Sequence, residues 1–313
     1  MLLDSGLILI GLILLYFGGD FLITGSTRIA ARFKISPFII GATVIGFGTS
    51  APELAVSVLA SLHGSGELAL GNVIGSNIAN VGLVLGLTAL LIPLTIDERR
   101  FKEAIPPLLI ASFLILGLAW DNHLGPWEGG GMMVLLIAYL WKMFGKMEPS
   151  EIELEDSGDF LKDRGPAVQY GLILVGLILL VLGAEWLVDG ATAIARRMGI
   201  SEWFIGVSIV AVGTSLPEIV SSLIAAKRGH GEMAIGNVFG SNIFNILLVL
   251  GVASSIHPIT IEESIHPDLI YTTVMTCLLL VLIRLEHNLS KRDGLFLLAG
   301  YTAYIGLKGT GVL

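Results

Sequence analysis

Gly48-Thr49-Ser50-Ala51-Pro52-Glu53 and Gly213-Thr214-Ser215-Leu216-Pro217-Glu218 are one motif written twice, 165 residues apart. Working outward, residues 41–86 align with 206–251 without a gap, and 24 of 46 positions are identical. Shared composition does not place Gly, Pro, Glu, Ser and Asn in register, so the chain contains one unit repeated. The match continues weakly on both sides. Gly11-Leu12-Ile13-Leu14-Leu15 returns as Gly176-Leu177-Ile178-Leu179-Leu180, and Pro93-Leu94-Thr95-Ile96 as Pro258-Ile259-Thr260-Ile261.

The surrounding sequence is that of a membrane protein. Of 313 residues, 54 % are apolar and only 14 % charged, where a soluble domain carries roughly 25 % charged residues. Apolar runs between polar punctuation predict ten spans, near 5–33, 37–61, 68–92, 104–120, 127–146, 167–197, 202–226, 232–256, 268–285 and 292–309. Each can cross a bilayer that needs about 20 apolar residues, the fourth and ninth being short and the first and sixth long enough to tilt. The first run lacks a basic leader and a cleavage-type ending, and is read as a retained span. A lone cysteine, Cys277, excludes a disulfide framework.

The expected fold is therefore all-α and polytopic, ten transmembrane helices in two five-helix repeats. Five is odd, so the second repeat enters the membrane from the opposite side and the repeats are inverted, with substrate bound between them near the midplane. The halves are 1–146 and 166–313. The net charge of −8 is concentrated in the linker 147–165, a solvated tether by composition, with loose calcium binding as the other reading. With the N-terminus outside, 15 of the 18 Lys and Arg fall on inner connections. The positive-inside rule then places both termini outside and the protein in the inner (plasma) membrane.

Glu53 and Glu218 lie near the middle of the second and seventh spans. A charge at that depth costs at least ~2.5–3.5 kcal/mol and faces a cavity or a partner. No Lys or Arg shares the depth, which leaves a bound cation or a protonated structural carboxyl. Pro52 and Pro217 deprive the Gly48 and Gly213 carbonyls of helical donors. Gly, Thr and Ser before each proline ease local unwinding, and freed carbonyls inside a membrane need a partner; a plain kink is the alternative. In the third and eighth spans, Ser76 and Asn80 share one helix face, as do Ser241 and Asn245. Asn72, Asn77, Asn237 and Asn242 fall elsewhere and are expected to bond neighbouring backbone. Carboxylate, amide, hydroxyl and carbonyl oxygens suit Na⁺ and Ca²⁺ rather than Zn²⁺ or copper. Two ionised Glu give −2, neutralised by one Ca²⁺ or two Na⁺. Competition for these carboxylates is a physical basis for antiport, and protons competing for them should make acid inhibitory.

The paired G-T-S-x-P-E and G-N-x-x-G-S-N-x-x-N segments resemble the alpha repeats of the sodium/calcium exchangers, in the cation/calcium antiporter superfamily and most similar to its prokaryotic members. The resemblance implies that Glu53 and Glu218 ligate Ca²⁺ with backbone carbonyls of Thr49 and Thr214. It places Na⁺ at Gly46, Thr49, Ser50, Glu53 and Ser76 in one half, and at Ala211, Thr214, Ser215, Glu218 and Ser241 in the other. Asn80 and Asn245 close the centre. It further implies three Na⁺ per Ca²⁺, the first and sixth spans sliding over a fixed core, and no cofactor besides the transported ions. Asn245, where potassium-dependent relatives carry Asp, argues against coupled K⁺. Ca²⁺/H⁺ antiport within the same superfamily is the alternative function.

Asp20, Glu185 and Asp189 in the long spans are either ion-guiding or structural. A channel uses similar oxygen ligands but needs a continuous pore. An intramembrane enzyme needs a catalytic set, and no His-Glu-x-x-His or Gly-x-Gly-Asp motif is present. No enzymatic activity and no nucleic-acid partner are expected; the bilayer is the expected surrounding, and protein partners are left open.

Overall fold

The computed structural model describes residues 2–145, 165–199, 209, 211–261, 265–286 and 288–310. Most of the expected linker 147–165 and the start of the expected span 202–226 lie outside the described residues. Helix α1 (Leu2–Phe33) is followed by a broken segment: α2 (Pro37–Ile40), a π-helical turn (Gly41–Ile45), α3 (Gly46–Thr49) and α4 (Ala51–Leu62). Then come α5 (Gly66–Ala79), a π turn (Asn80–Leu85) and α6 (Gly86–Leu91), the short strand β1 (Leu94–Thr95), α7 (Glu98–Leu118), β2 (His123–Leu124) and α8 (Pro126–Gly145).

The same order returns. It runs α9 (Pro166–Arg197), α10 (Ala211–Thr214), α11 (Leu216–Lys227), α12 (Gly231–Phe244), a π turn (Asn245–Leu250), α13 (Gly251–Ile256), β3 (Ile259–Thr260), α14 (His266–Glu286), β4 (Asn288–Leu289) and α15 (Lys291–Gly309). Among the described residues, six helices are long and apolar enough to cross a membrane, or seven if the pair bent by 43° between Thr49 and Ala51 counts as one span. The fourth and ninth spans are longer than their apolar runs, because α7 and α14 have 21 residues each. Asp97 accepts the Arg99 and Arg100 amides and so extends α7 through a charged first turn.

Local signals repeat with the sequence. Gly64 and Gly229 adopt φ of +74° and +76° at the hairpin turns after α4 and α11, a region glycine enters without Cβ strain. At the turn after α1, Lys34 holds φ +54° where the second half has Gly199 at +78°. The strands are the one addition to the all-α expectation. Leu94 pairs with Leu289 and Thr95 with Asn288, while Leu124 pairs with Ile259 and His123 with Thr260. Each sheet joins one half to the other, and adding 165 to the first sheet's β1 gives the second's β3.

Burial separates an inner set from an outer set. The most apolar windows of the α5–α6 and α12–α13 segments are 78 % and 89 % buried, against 33 % for α1 and 28 % for α9. α5 and α12 are thus central, while α1 and α9 lie together on the outside. Their seam is set by glycines seven residues apart, Gly11, Gly18 and Gly25 on α1 and Gly176, Gly183 and Gly190 on α9. A Cβ at Gly11 would stand 2.8 Å from the Gly183 carbonyl oxygen, and one at Gly183 2.8 Å from that of Gly11. Small residues let membrane helices approach to backbone contact where the bilayer supplies little hydrophobic drive.

Candidate functional site

Glu53 stands in the first turn of α4 and Glu218 in that of α11, 1 % and 0 % exposed. Both helices begin at a serine that leaves helical geometry, Ser50 at φ −82°, ψ 3° and Ser215 at φ −90°, ψ 3°. Pro52 and Pro217 then occupy the first helical turn, where a missing N–H costs nothing. The expected unwinding is thus confined to a single residue, and Gly48-Thr49 stays helical. The Ser50 amide bonds back to the Gly46 and Gly48 carbonyls of α3, so the Gly48 carbonyl, expected to lose its donor to Pro52, has one. Glu53 stands at the start of α4, where a helix N-terminus favours negative charge.

The carboxylates are reached mostly by oxygens. The Ser76 hydroxyl faces Glu53, the Thr49 hydroxyl faces Glu218, and the two Glu lie close enough to interact electrostatically. Even so, none of the four carboxylate oxygens accepts a hydrogen bond meeting normal geometry, and no ion pair among the described residues involves either Glu. Around them, Thr49 donates to Asn237 Oδ1 at 3.2 Å and shares a 3.3 Å contact with Ser241 Oγ. Ser241 donates to the Gly46 carbonyl at 3.3 Å, which also accepts the Ser50 amide at 3.1 Å. The Gly46 carbonyl, an expected Na⁺ ligand, is therefore engaged by two protein donors. Thr214 is half-buried in α10, and Ala211 opens that helix.

Asn72, Asn77 and Asn242 bond neighbouring backbone as expected, whereas Asn237 bonds side chains instead. Asn72 Nδ2 donates to the Glu53 carbonyl at 3.2 Å and to Ser57 Oγ at 2.9 Å; Asn237 Nδ2 donates to Ser221 and Ser222 at 3.1 and 3.0 Å. Asn77 and Asn242 exchange amides across the centre, each donating to the other's backbone carbonyl at 3.2 and 3.3 Å. Asn245 donates to Asn77 Oδ1 at 3.0 Å, leaving its own Oδ1 without a protein partner. Asn80 has no partner on either amide atom. Sequence reasoning missed Ser57, Ser221 and Ser222, although Ser57 and Ser222 are identical at the repeat offset and so carried a signal.

Ser50 and Ser215 hydroxyls are also buried and unpartnered. Buried polar atoms in native structures are almost always satisfied, and each exception asks for an explanation. Such atoms occur on Glu53, Glu218, Asn80, Asn245, Ser50 and Ser215, all named from the sequence, and also on residues it did not single out, among them Ser26, Gln169 and Thr192. No cluster of three or more His, Cys, Asp or Glu suits a metal among the described residues. The donor set is instead two carboxylates with amide and hydroxyl oxygens, which fits a hard cation. Asp20 is not part of it, because it pairs with Arg228, which also donates to Thr24 at 2.7 Å. Glu185 and Asp189 are exposed on α9.

The two halves differ in one respect. α12 packs Gly236 and Gly240 against the α2 segment so tightly that a Cβ would meet the Phe38 and Ala42 carbonyl oxygens. On α5, a Cβ at Gly71 or Gly75 would meet no described atom within 4 Å; the residues at the repeat offset of Phe38 and Ala42, Trp203 and Val207, lie outside the described residues.

The sequence matches the sodium/calcium exchanger protein family over residues 4–145 and 168–309. It is 39 % identical to an uncharacterised membrane protein of Methanocaldococcus jannaschii, covering 96 % of each chain. It is 32 % identical to the sodium/calcium exchanger MaX1 of Methanosarcina acetivorans, again covering 96 % of each. Among solved structures, the sodium-calcium exchanger NCX_Mj soaked with 10 mM Na⁺ and zero Ca²⁺ superposes with a TM-score of 0.84 at 37 % identity, covering 97 % of this chain and 98 % of that one.

Proposed function

Since the chain belongs to the sodium/calcium exchanger family, we propose that it exchanges Na⁺ for Ca²⁺ across the membrane by alternating access. The observation that carries this reading is the pair of buried carboxylates whose four oxygens have no protein donor. A fully desolvated −2 site with no Lys or Arg beside it is stable only with cations or protons bound. Either one Ca²⁺ or several Na⁺ supplies that charge, so the two cargoes exclude each other.

In the proposed architecture, ten spans form inverted five-span repeats, 1–146 and 166–313, joined by the linker 147–165 on the inner side. Both termini face outward. The reciprocal strand pairs and the reciprocal Asn77–Asn242 amides support a two-fold relation between halves. Glu53 and Glu218 ligate Ca²⁺ with the carbonyls of Thr49 and Thr214. Na⁺ uses the same carboxylates together with Ser50, Ser76 and the Gly46 carbonyl, and with Ser215, Ser241 and the Ala211 carbonyl. Asn80 and Asn245 line the centre through their unpartnered amide oxygens.

Three Na⁺ for one Ca²⁺ moves one net charge per cycle. Membrane potential then biases exchange by about 2.3 kcal/mol per 100 mV, roughly 50-fold in the equilibrium ratio. Sodium-loaded proteoliposomes taking up Ca²⁺, with external Na⁺, K⁺, pH and potential varied, test the whole reading. Uptake that follows the Na⁺ gradient, ignores K⁺, falls on acidification and responds to potential is expected. Uptake driven by a proton gradient alone overturns sodium coupling; indifference to potential overturns the 3:1 ratio.

A further inference from the structure

Asp20, Glu185 and Asp189 lie on the long helices α1 and α9, outside the ion site, and the repeat offset sorts them. Adding 165 carries Asp20 and Thr24 of α1 onto Glu185 and Asp189 of α9, and carries His63, just after α4, onto Arg228, just after α11. One of the two sets is assembled. Arg228 pairs with the Asp20 carboxylate and donates to the Thr24 hydroxyl at 2.7 Å. The pair is partly buried, with the Arg228 and Asp20 side chains 23 % and 32 % exposed. Among the described residues, no hydrogen bond or ion pair engages the side chain of His63, Glu185 or Asp189, and all three are exposed.

The apolar packing beside these groups differs in the same sense. Gly19, next to Asp20, lies against α11: a Cβ there would stand 2.6 Å from Ile224 Cδ1 and 2.8 Å from Val220 Cγ1. On α4 the counterparts of Ile224 and Val220 are Leu59 and Ala55, both exposed. The counterpart of Gly19 on α9 is Ala184. α1 and α9 shift together, because their glycine seam brings the two backbones into contact along its length. The helix pair is thus one body, seated on α11, with Arg228 bonded across the seat.

We infer that Arg228, Asp20 and Thr24 pin the α1–α9 pair on α11 in this conformation, and that His63, Glu185 and Asp189 form the matching pin when the pair is seated on α4. The inference rests on the alternating-access reading above, with two conformations related by exchange of the repeats. Arg228 and Asp20 are positioning residues, acting through the seat of the helix pair rather than on an ion. The pins are unequal. A guanidinium engages a carboxylate and a hydroxyl at once, as it does here, whereas a neutral imidazole offers a single donor. The conformation seated on α11 is therefore the resting one.

The test is disulfide trapping in proteoliposomes, on a Cys277→Ala background, with two cysteine pairs. Gly19→Cys/Ile224→Cys reports the helix pair on α11, and Ala184→Cys/Leu59→Cys reports it on α4; a mild oxidant closes whichever pair is in reach. Arg228→Gln and Asp20→Asn should each raise the second crosslink relative to the first by about fivefold, as loss of a partly exposed ion pair does. Their double variant should shift the ratio no further than either one alone. His63→Arg should raise the Ala184–Leu59 crosslink with the Arg228 pair intact. A thermal melt verifies that each variant folds. A ratio unchanged in both single variants overturns the pin, as do single shifts that simply add in the double. No response to His63→Arg overturns its counterpart. Trapping needs no ion flux, so it decides the pin whatever the wild type transports; absence of Na⁺/Ca²⁺ exchange by the wild type in the same vesicles overturns the functional reading instead.

Discussion

In one half of this molecule α12 lays Gly236 and Gly240 against backbone carbonyls of the α2 segment; in the other, no described atom stands within 4 Å of a Cβ placed at Gly71 or Gly75 on α5. The residues are the same at these positions, Gly-Asn-Val-x-Gly in both. Among the described residues, identical local sequence thus meets different neighbours in the two halves. A protein built from two copies of a unit gains two conformations cheaply, because exchanging the roles of the copies produces the second state from the first.

The strongest way to break the comparison is at the carboxylates, where the halves should be equivalent. Glu53→Gln and Glu218→Gln each leave the other Glu without its share of the cation. Each should cost about 2–5 kcal/mol of Ca²⁺ binding, tens- to thousands-fold, and abolish exchange in proteoliposomes while insertion persists. A large loss in only one variant would mean that one half carries the ion by itself.

The glycines should split the halves. Gly240→Ala drives a methyl into the Ala42 carbonyl and should destabilise this conformation by about 1–3 kcal/mol, as overpacking does. Gly75→Ala meets no described atom within 4 Å and should leave the melting temperature unchanged. Equal melting temperatures for the two variants would sink this difference between the halves.

The contact between α14 and α15 gives a smaller difference: Tyr304 on α15 donates to Asp268 on α14 at 2.9 Å, whereas Glu103, the counterpart of Asp268, turns to Arg99 and Arg100 on its own helix. Tyr304→Phe loses its hydrogen bond to Asp268 and should cost about 1 kcal/mol in thermal or denaturant unfolding; Tyr139→Phe should cost nothing measurable. The smallest contrast is at the turns. Lys34 carries a side chain at φ +54° where the other half has Gly199. Lys34→Gly should therefore be neutral or stabilise by up to about 1 kcal/mol, and Gly199→Ala should destabilise by a similar amount.

Much of the site was legible in the sequence because its residues are polar where the bilayer tolerates little polarity. Glu53, Glu218, Asn80, Asn245, Ser50 and Ser215 stood out by that test, and each holds at least one buried polar atom without a protein partner, as do several residues the sequence did not single out, Ser26, Gln169 and Thr192 among them. Asn72, Asn77 and Asn242 donate to neighbouring backbone as expected, whereas Asn237 donates to side chains. That the Gly46 carbonyl accepts the Ser241 hydroxyl was not legible, since only tertiary contact brings the two together. Ser57, Ser221 and Ser222 were overlooked because a serine in a membrane helix can bond its own turn, and spacing does not say which bond it makes. The length of α7 was underestimated for a local reason: a capped, charged first turn is helix without being apolar.

The sequence by itself determined that the chain spans a membrane and that its two halves share one plan. It also pointed to two acids at equal places in those halves as candidates to hold a cation, because period, depth and charge are properties of the chain order. Only the tertiary structure decided how the halves differ. The Tyr304 hydroxyl on α15 bonds Asp268 on α14, whereas Glu103, the counterpart of Asp268 in the first half, turns to Arg99 and Arg100 on its own helix. Two segments with the same residues have the same local energy, so the choice between such states rests on which neighbour each one meets.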